Sequence, residues 1–159
     1  MPAPALLRET LALRAFTLAK IPLLHWLRPV VVGLDDDRCV IRIPLGRRSR
    51  NHLGSMYFGA LCAGADMAGG YAAMRHIQRS GRKVAFVFKD FRADFRRRAE
   101  GDVHFVCDQG RAMAALVERA IATGDRVEDS VRVVAVVPDG AADDPVAEFL
   151  LTISLRARG

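Results

Sequence analysis

The chain has 159 residues, 51% hydrophobic and 26% charged, with a mean hydropathy just above zero; this is a globular composition, long enough for one ordinary domain with a real core, and it carries no low-complexity tract or internal repeat. The net charge of +6 comes mostly from arginine, since the only lysines are Lys20, Lys83 and Lys89; it suits an anionic partner without choosing among a phosphate-bearing cofactor, nucleic acid and a membrane face. Cys39, Cys62 and Cys107 are odd in number, widely spaced and without a CxxC pair, and His25, His52, His76 and His104 are scattered, which argues against a disulfide framework, a zinc site or any other metal cluster and for reduced thiols in a cytoplasmic protein.

The first element, ALLRETLALRAFTLAKIPLLHWL, is apolar but interrupted by Arg8, Glu9, Arg14 and Lys20. It is too broken to span a bilayer and lacks the charged lead and cleavage site of a signal peptide. We read it as an amphipathic helix, bent or ended near Pro22, that packs over the domain. Binding to a membrane surface is the alternative, because basic amphipathic helices do this.

From Pro29 the period changes. PVVVGL and RCVIRIPL are short β-branched runs on either side of Asp35-Asp36-Asp37, which predicts a hairpin. A basic loop, GRRSRN, follows. The segment from about Tyr57 to Gln78 has no proline and is too long for a strand, so it is expected to be the main helix. It is built from small residues, and Asp66 is the one formal charge between Asn51 and Met74.

After Ser80-Gly81 the sequence KVAFVFKDFRADFRRR reads as a long strand. Phe86 and Phe88 keep one parity and Phe91, Ala93 and Phe95 the other, so a bulge is expected near Lys89-Asp90. Glu100-Gly101-Asp102 is a turn and DVHFVCD the next strand. Residues 110–122 fit either a short helix or a strand. VRVVAVV and EFLLTISLRAR are two further strands joined by the loop PDGAADDP. Strands following one another through short turns predict an antiparallel sheet. A helix that accepts several glycines, each costing about 1 kcal/mol relative to alanine, must have a packing reason, namely that backbone from a sheet or a neighbouring subunit comes very close. The fold class is therefore α+β, with an antiparallel sheet wrapped around one long central helix. We expect a single domain over residues 1–159, with an N-terminal helical extension at 1–28 and the core at 29–159.

The residues Asn51, Gly54, Ser55 and Gly59, followed fifteen positions after Asn51 by Asp66, resemble the pattern of the hotdog-fold acyl-CoA thioesterases, nearest in type to phenylacetyl-CoA thioesterases. KDFRADFRRRAEGDV is similar to that family's strand and turn after the helix. The order of elements matches from Pro29 to Arg158, and the whole resembles an uncharacterised bacterial branch with an added N-terminal helix. The resemblance implies a thioester hydrolase in which Asp66 is nucleophile or general base and Asn51 positions the carbonyl or the water. The backbone N–H groups of Phe58 and Gly59 would then stabilise the oxyanion at the positive end of the helix. Tyr57 and Ser55 would border the substrate. Arg50, Arg96 and Arg97 are candidates for the coenzyme A phosphates, because arginine binds phosphate bidentately. It further implies no cofactor beyond coenzyme A as part of the substrate, and a homodimer or homotetramer whose site draws Asn51 and Asp66 from different subunits.

The chain departs from the family at the helix entrance, where Tyr57-Phe58-Gly59 replaces the usual His-Gly-Gly. This keeps a second function open, a non-catalytic hotdog module that binds acyl-CoA or a lipid-like ligand. A dehydratase ranks last, since that chemistry wants a histidine at the helix entrance and His52 is out of register. Cys62, one turn before Asp66, has no cation nearby in sequence to lower its pKa and is read as a packed thiol. Nucleic-acid binding lacks a motif and aromatic interleaving. Asp66 itself has a structural reading, a carboxylate satisfied by Ser55, Tyr57 or Asn51 at a subunit interface; a helix of small residues offers it no partner of its own.

Overall fold

The computed structural model describes residues 4–138 and 144–159. Its elements are helices α1 (Pro4–Lys20) and α2 (Pro22–Trp26), strands β1 (Val30–Leu34) and β2 (Cys39–Ile43), the long helix α3 (Phe58–Ser80), strands β3 (Val84–Phe95) and β4 (Val103–Cys107), helix α4 (Gly110–Thr123), and strands β5 (Arg126–Val136) and β6 (Ala147–Ala157). The six strands form one sheet in the order β1-β2-β4-β5-β6-β3, with every neighbouring pair antiparallel. With α3 packed against that sheet, this is the hotdog architecture. Most of the loop expected between the last two strands, residues 139–143, lies outside the described residues.

The sheet is not a simple meander. After β3 the chain does not turn back to pair; residues 96–102 carry it from the β3 edge to the middle of the sheet, where β4 lies between β2 and β5. β3 pairs with β6 alone, so a 12-residue strand has one unpaired edge among the described residues. Its register shifts between Phe88 and Asp90, the bulge that the parity change in its phenylalanines predicts. Residues 110–122, ambiguous in sequence, are helical: Gln109 starts the turn and Gly124, at φ 69°, ends it.

Gly64, Gly69 and Gly70 of α3 face side chains of the sheet rather than its backbone. A Cβ on Gly64 would lie 2.3 Å from the ring of Phe105, which is fully buried, and one on Gly69 would meet Val131 at 3.2 Å. Small residues on the helix are therefore the complement of large ones on the sheet. Strand alternation also brings Cys39 opposite Cys107 across β2 and β4. Both are free and buried, and burial pushes the Cys39 thiol up to about 12 and raises Cys107 as well.

The N-terminal segment breaks before Pro22, as expected, and packs over the domain. It is not amphipathic in the ordinary sense, however. Thr10, Leu13 and Thr17 face inward, whereas Leu7, Leu11 and Leu18 face out. The inward threonines are satisfied: Thr10 Oγ1 accepts the Val31 amide at 3.0 Å, and Thr17 Oγ1 donates to the Leu13 carbonyl at 2.9 Å. α1 is tied to α3 by Glu9, whose carboxylate accepts from the Tyr71 hydroxyl and from Arg75, both at 2.5 Å. No helix among the described residues is long and apolar enough to cross a membrane.

Candidate active site

The entrance to α3 is built by a tight turn. Asn51 Oδ1 accepts the Leu53 amide at 2.9 Å and its Nδ2 donates to Ser55 Oγ at 3.1 Å. Gly54, at φ 83°, supplies a conformation other residues resist. The Tyr57 amide then donates to the Ser49 carbonyl at 2.7 Å, which fixes where the helix begins. Beyond it the Tyr57 carbonyl accepts from Ala60 and Leu61. Among the described residues the amides of Phe58 and Gly59 have no backbone acceptor, and Tyr57 makes no side-chain cap. Two free donors thus sit at the positive end of the helix dipole. The Tyr57 ring folds back over Gly59, where a Cβ would come within 2.3 Å of it. Phe58 packs against Tyr57 and Phe95, with ring centroids 4.9 and 6.0 Å apart.

Asp66 is on the same helix. Eight residues beyond Phe58, it stands about 12 Å further along the axis. No hydrogen bond or ion pair reaches its carboxylate from any described residue, and Ser55 and Asn51 are bonded to one another instead. Its structural reading therefore finds no partner among the described residues. Burial alone holds its pKa above the ordinary aspartate range. It borders a cleft of about 90 Å³ between α3 and the N-terminal helices, walled by Leu13, Phe16, Ile21, Leu24, Met67, Met74 and Phe86. The lining is almost wholly apolar, so an unpaired carboxylate meets a hydrocarbon-like cavity.

The predicted basic contacts separate. Arg96 pairs with Glu148 at 3.3 Å and Asp94 at 3.6 Å, and Arg97 with Asp144 at 2.9 Å, while Arg50 is exposed with no ion pair among the described residues. A second basic group was not legible in sequence because strand pairing creates it. Arg126 stands opposite Arg156 across β5 and β6, and both line a hollow of about 490 Å³ with Arg158 and Ser154. Phe86 borders both this hollow and the Asp66 cleft, while Ala85 and Val87 line the hollow alone. Asp66 does not line it. Cys62 is half-buried with its thiol pKa raised by burial, as a packed thiol should be, and His52 is exposed. Among the described residues no group of histidine, cysteine and carboxylate side chains is placed to hold a metal.

The profile of DUF4442, a domain of unknown function, matches residues 10–154. The chain belongs to that family. No functionally curated protein matches it. A Pseudomonas aeruginosa protein of unknown function, described as a probable thioesterase, is 26% identical over 99% of both chains with a TM-score of 0.75. A Chlorobaculum tepidum protein of unknown function superposes with a TM-score of 0.80 at 15% identity, over 94% of each chain. A Haemophilus influenzae thioesterase does so at 0.65 and 14% identity, over 89% of this chain and 87% of that one. The fold is thus that of thioesterase-like hotdog proteins.

Proposed function

We propose that the protein hydrolyses an acyl-CoA thioester to the free acid and coenzyme A, with Asp66 as the catalytic carboxylate. The observation that carries this reading is the carboxylate itself, with no partner among the described residues and a raised pKa, in the lining of an apolar cleft on the central helix of a hotdog fold. Isolated acids so perturbed are enriched at reactive sites. The acyl chain would occupy the cleft beneath α1 and α2. Asp66 would take a proton from water as its oxygen attacks the thioester carbonyl. The negative oxygen would be held by the amides of Phe58 and Gly59, and the C–S bond would break to release the thiolate.

One protomer cannot do this alone. A carbonyl needs base and oxyanion donors each within about 3 Å, and along one helix they are about 12 Å apart. A homodimer that sets Asp66 of one copy against the helix entrance of the other resolves the distance. The unpaired edge of β3, with Val87, Phe91 and Phe95 exposed beside it, is the surface we assign to that pairing. Asn51 is pre-oriented by Ser55, leaving its second amide N–H to position the carbonyl or the water. Tyr57 and Ser55 border the entrance, and Arg50, without an ion pair among the described residues, is freer than Arg96 or Arg97 to meet a phosphate.

The Tyr57 ring over Gly59 favours the second reading, a module that binds acyl-CoA without cleaving it, because it crowds the donors. Free-thiol release from short, long and aromatic acyl-CoAs, measured beside the shift each gives in Tm, separates the two. Turnover of any member supports hydrolysis. Stabilisation without turnover across the panel supports the binding module, and neither effect contradicts both.

A further inference from the structure

The outward side of the N-terminal helices is unlike the rest of the surface. Among the described residues, eight large apolar side chains are more than half exposed, and five of them, Leu7, Leu11, Leu18, Leu23 and Trp26, fall on α1 and α2. Such concentration marks an interaction surface, where scattered singles would not. Leu7, Leu11 and Leu18 lie at spacings of four and seven, which puts them in one stripe along α1. The stripe is not a packing accident, because α1 is held in this orientation by the Thr10 hydroxyl accepting the Val31 amide of β1, by Arg14 Nε donating to the Pro29 carbonyl at 2.9 Å, and by the Glu9–Tyr71–Arg75 cluster. The helix has been fixed with its threonines inside and its leucines out.

Charge says what the face meets. Glu9 is the only acid in residues 5–28, and it is turned inward to Arg75. The bases Arg8, Lys20 and Arg28 are exposed. At the far end Arg48, from the loop after β2, stacks on Trp26 with its guanidinium carbon 4.5 Å from the ring centroid. An apolar stripe with a basic rim and a half-exposed tryptophan is the chemistry of a helix lying in a lipid headgroup layer. A second copy fits worse, since face-to-face pairing would bring the same arginines and lysine together.

We propose that the outer face of α1 and α2 docks on an anionic lipid bilayer. The helices lie on the membrane and do not enter it deeply, and basic side chains near the surface add to the apolar contact. The proposal does not depend on the thioesterase reading.

Trp26 is the sole tryptophan of the chain, so its emission reports on this face directly. Titration with vesicles of phosphatidylcholine and phosphatidylglycerol in equal parts should shift the emission to shorter wavelength and carry the protein down with the vesicles. Vesicles of phosphatidylcholine alone should bind at least about tenfold more weakly, and raising salt from about 0.1 M to about 0.5 M should weaken the anionic binding by a similar factor. Leu11→Glu with Leu18→Glu, both at exposed positions, should abolish the shift while circular dichroism and Tm stay unchanged; Leu23→Glu alone should weaken it. Three results would overturn the proposal: no binding to either vesicle, equal binding to both, or a blue shift that grows with protein concentration without lipid and disappears in the leucine variants, which would make the face a contact between copies.

Discussion

Two carboxylates stand on helices that face each other across the same cleft, and they have opposite surroundings. Glu9 on α1 accepts hydrogen bonds from the Tyr71 hydroxyl and from Arg75, at 2.5 Å each, with its side chain one-quarter exposed. Asp66 on α3, one turn before Gly70 and Tyr71, has no partner among the described residues, and burial raises its pKa. Tyr71 registers the difference too, its phenol pushed well above the ordinary range by burial first and by Glu9 second. A buried acid that the fold needs is paired, because leaving it unpaired costs free energy. An acid that the fold leaves unpaired is present for another reason, and we assign it to chemistry. Glu9 holds the roof over the cleft; we propose that Asp66 acts within it.

The largest test of this contrast is Asp66→Asn, which keeps size and removes the charge. It should lower kcat/KM by about 10²- to 10⁴-fold, as loss of a general base does, with a Tm equal to or above wild type because no bond is broken. Glu9→Gln should do the reverse. It leaves Arg75 without its counter-charge and should cost about 1–2 kcal/mol in denaturant unfolding, a figure reduced from that of a fully buried pair because both side chains are one-quarter exposed. Its kcat should stay within about threefold of wild type, with any loss in KM as the roof loosens.

Tyr71→Phe sharpens the comparison at smaller scale. It removes one hydroxyl from Glu9 while leaving the ion pair, and should cost about 0.5–1.5 kcal/mol.

The subtlest effect is in pH. For Asp66 the folded protein holds its proton to a higher pH than the unfolded chain does. Stability therefore falls as pH rises from the ordinary aspartate value, 3.8, to the raised folded value, and is level beyond it. Asp66→Asn should remove that falling segment, measurable as the difference between the two unfolding curves across acid pH. The rising limb of wild-type kcat/KM should likewise lie above the ordinary aspartate range, since the base must first ionise.

Much of this was legible in the chain. The glycine and alanine content of residues 57–78 announced a buried helix, and the parity change after Phe88 announced the bulge of β3. Asp66 stood out because nothing near it in sequence was charged, and among the described residues no hydrogen-bond or ion-pair partner reaches it. What sequence did not reveal depends on long-range pairing. That β3 leaves its neighbour β4 to pair with β6 is a matter of topology, invisible in local pattern. So is the grouping of Arg126 with Arg156, thirty residues apart and opposed across two strands. The direction in which α1 faces was also hidden. Its leucines fall on both sides of the helix, and the bonds to Val31, Tyr71 and Arg75 fix which side is in. Arg96 and Arg97 are candidates in sequence for the coenzyme A phosphates, but the folded chain brings Glu148 and Asp144 beside them.

The most direct test of the division of labour puts Asp66→Asn and Glu9→Gln side by side, with kcat/KM on an acyl-CoA that wild type hydrolyses and Tm measured on the same preparations. The account predicts a crossed result: activity lost and stability kept in Asp66→Asn, stability lost and kcat kept in Glu9→Gln. An Asp66→Asn protein that hydrolyses as fast as wild type, or that loses activity only in proportion to a fall in Tm, would contradict it and return Asp66 to the architecture.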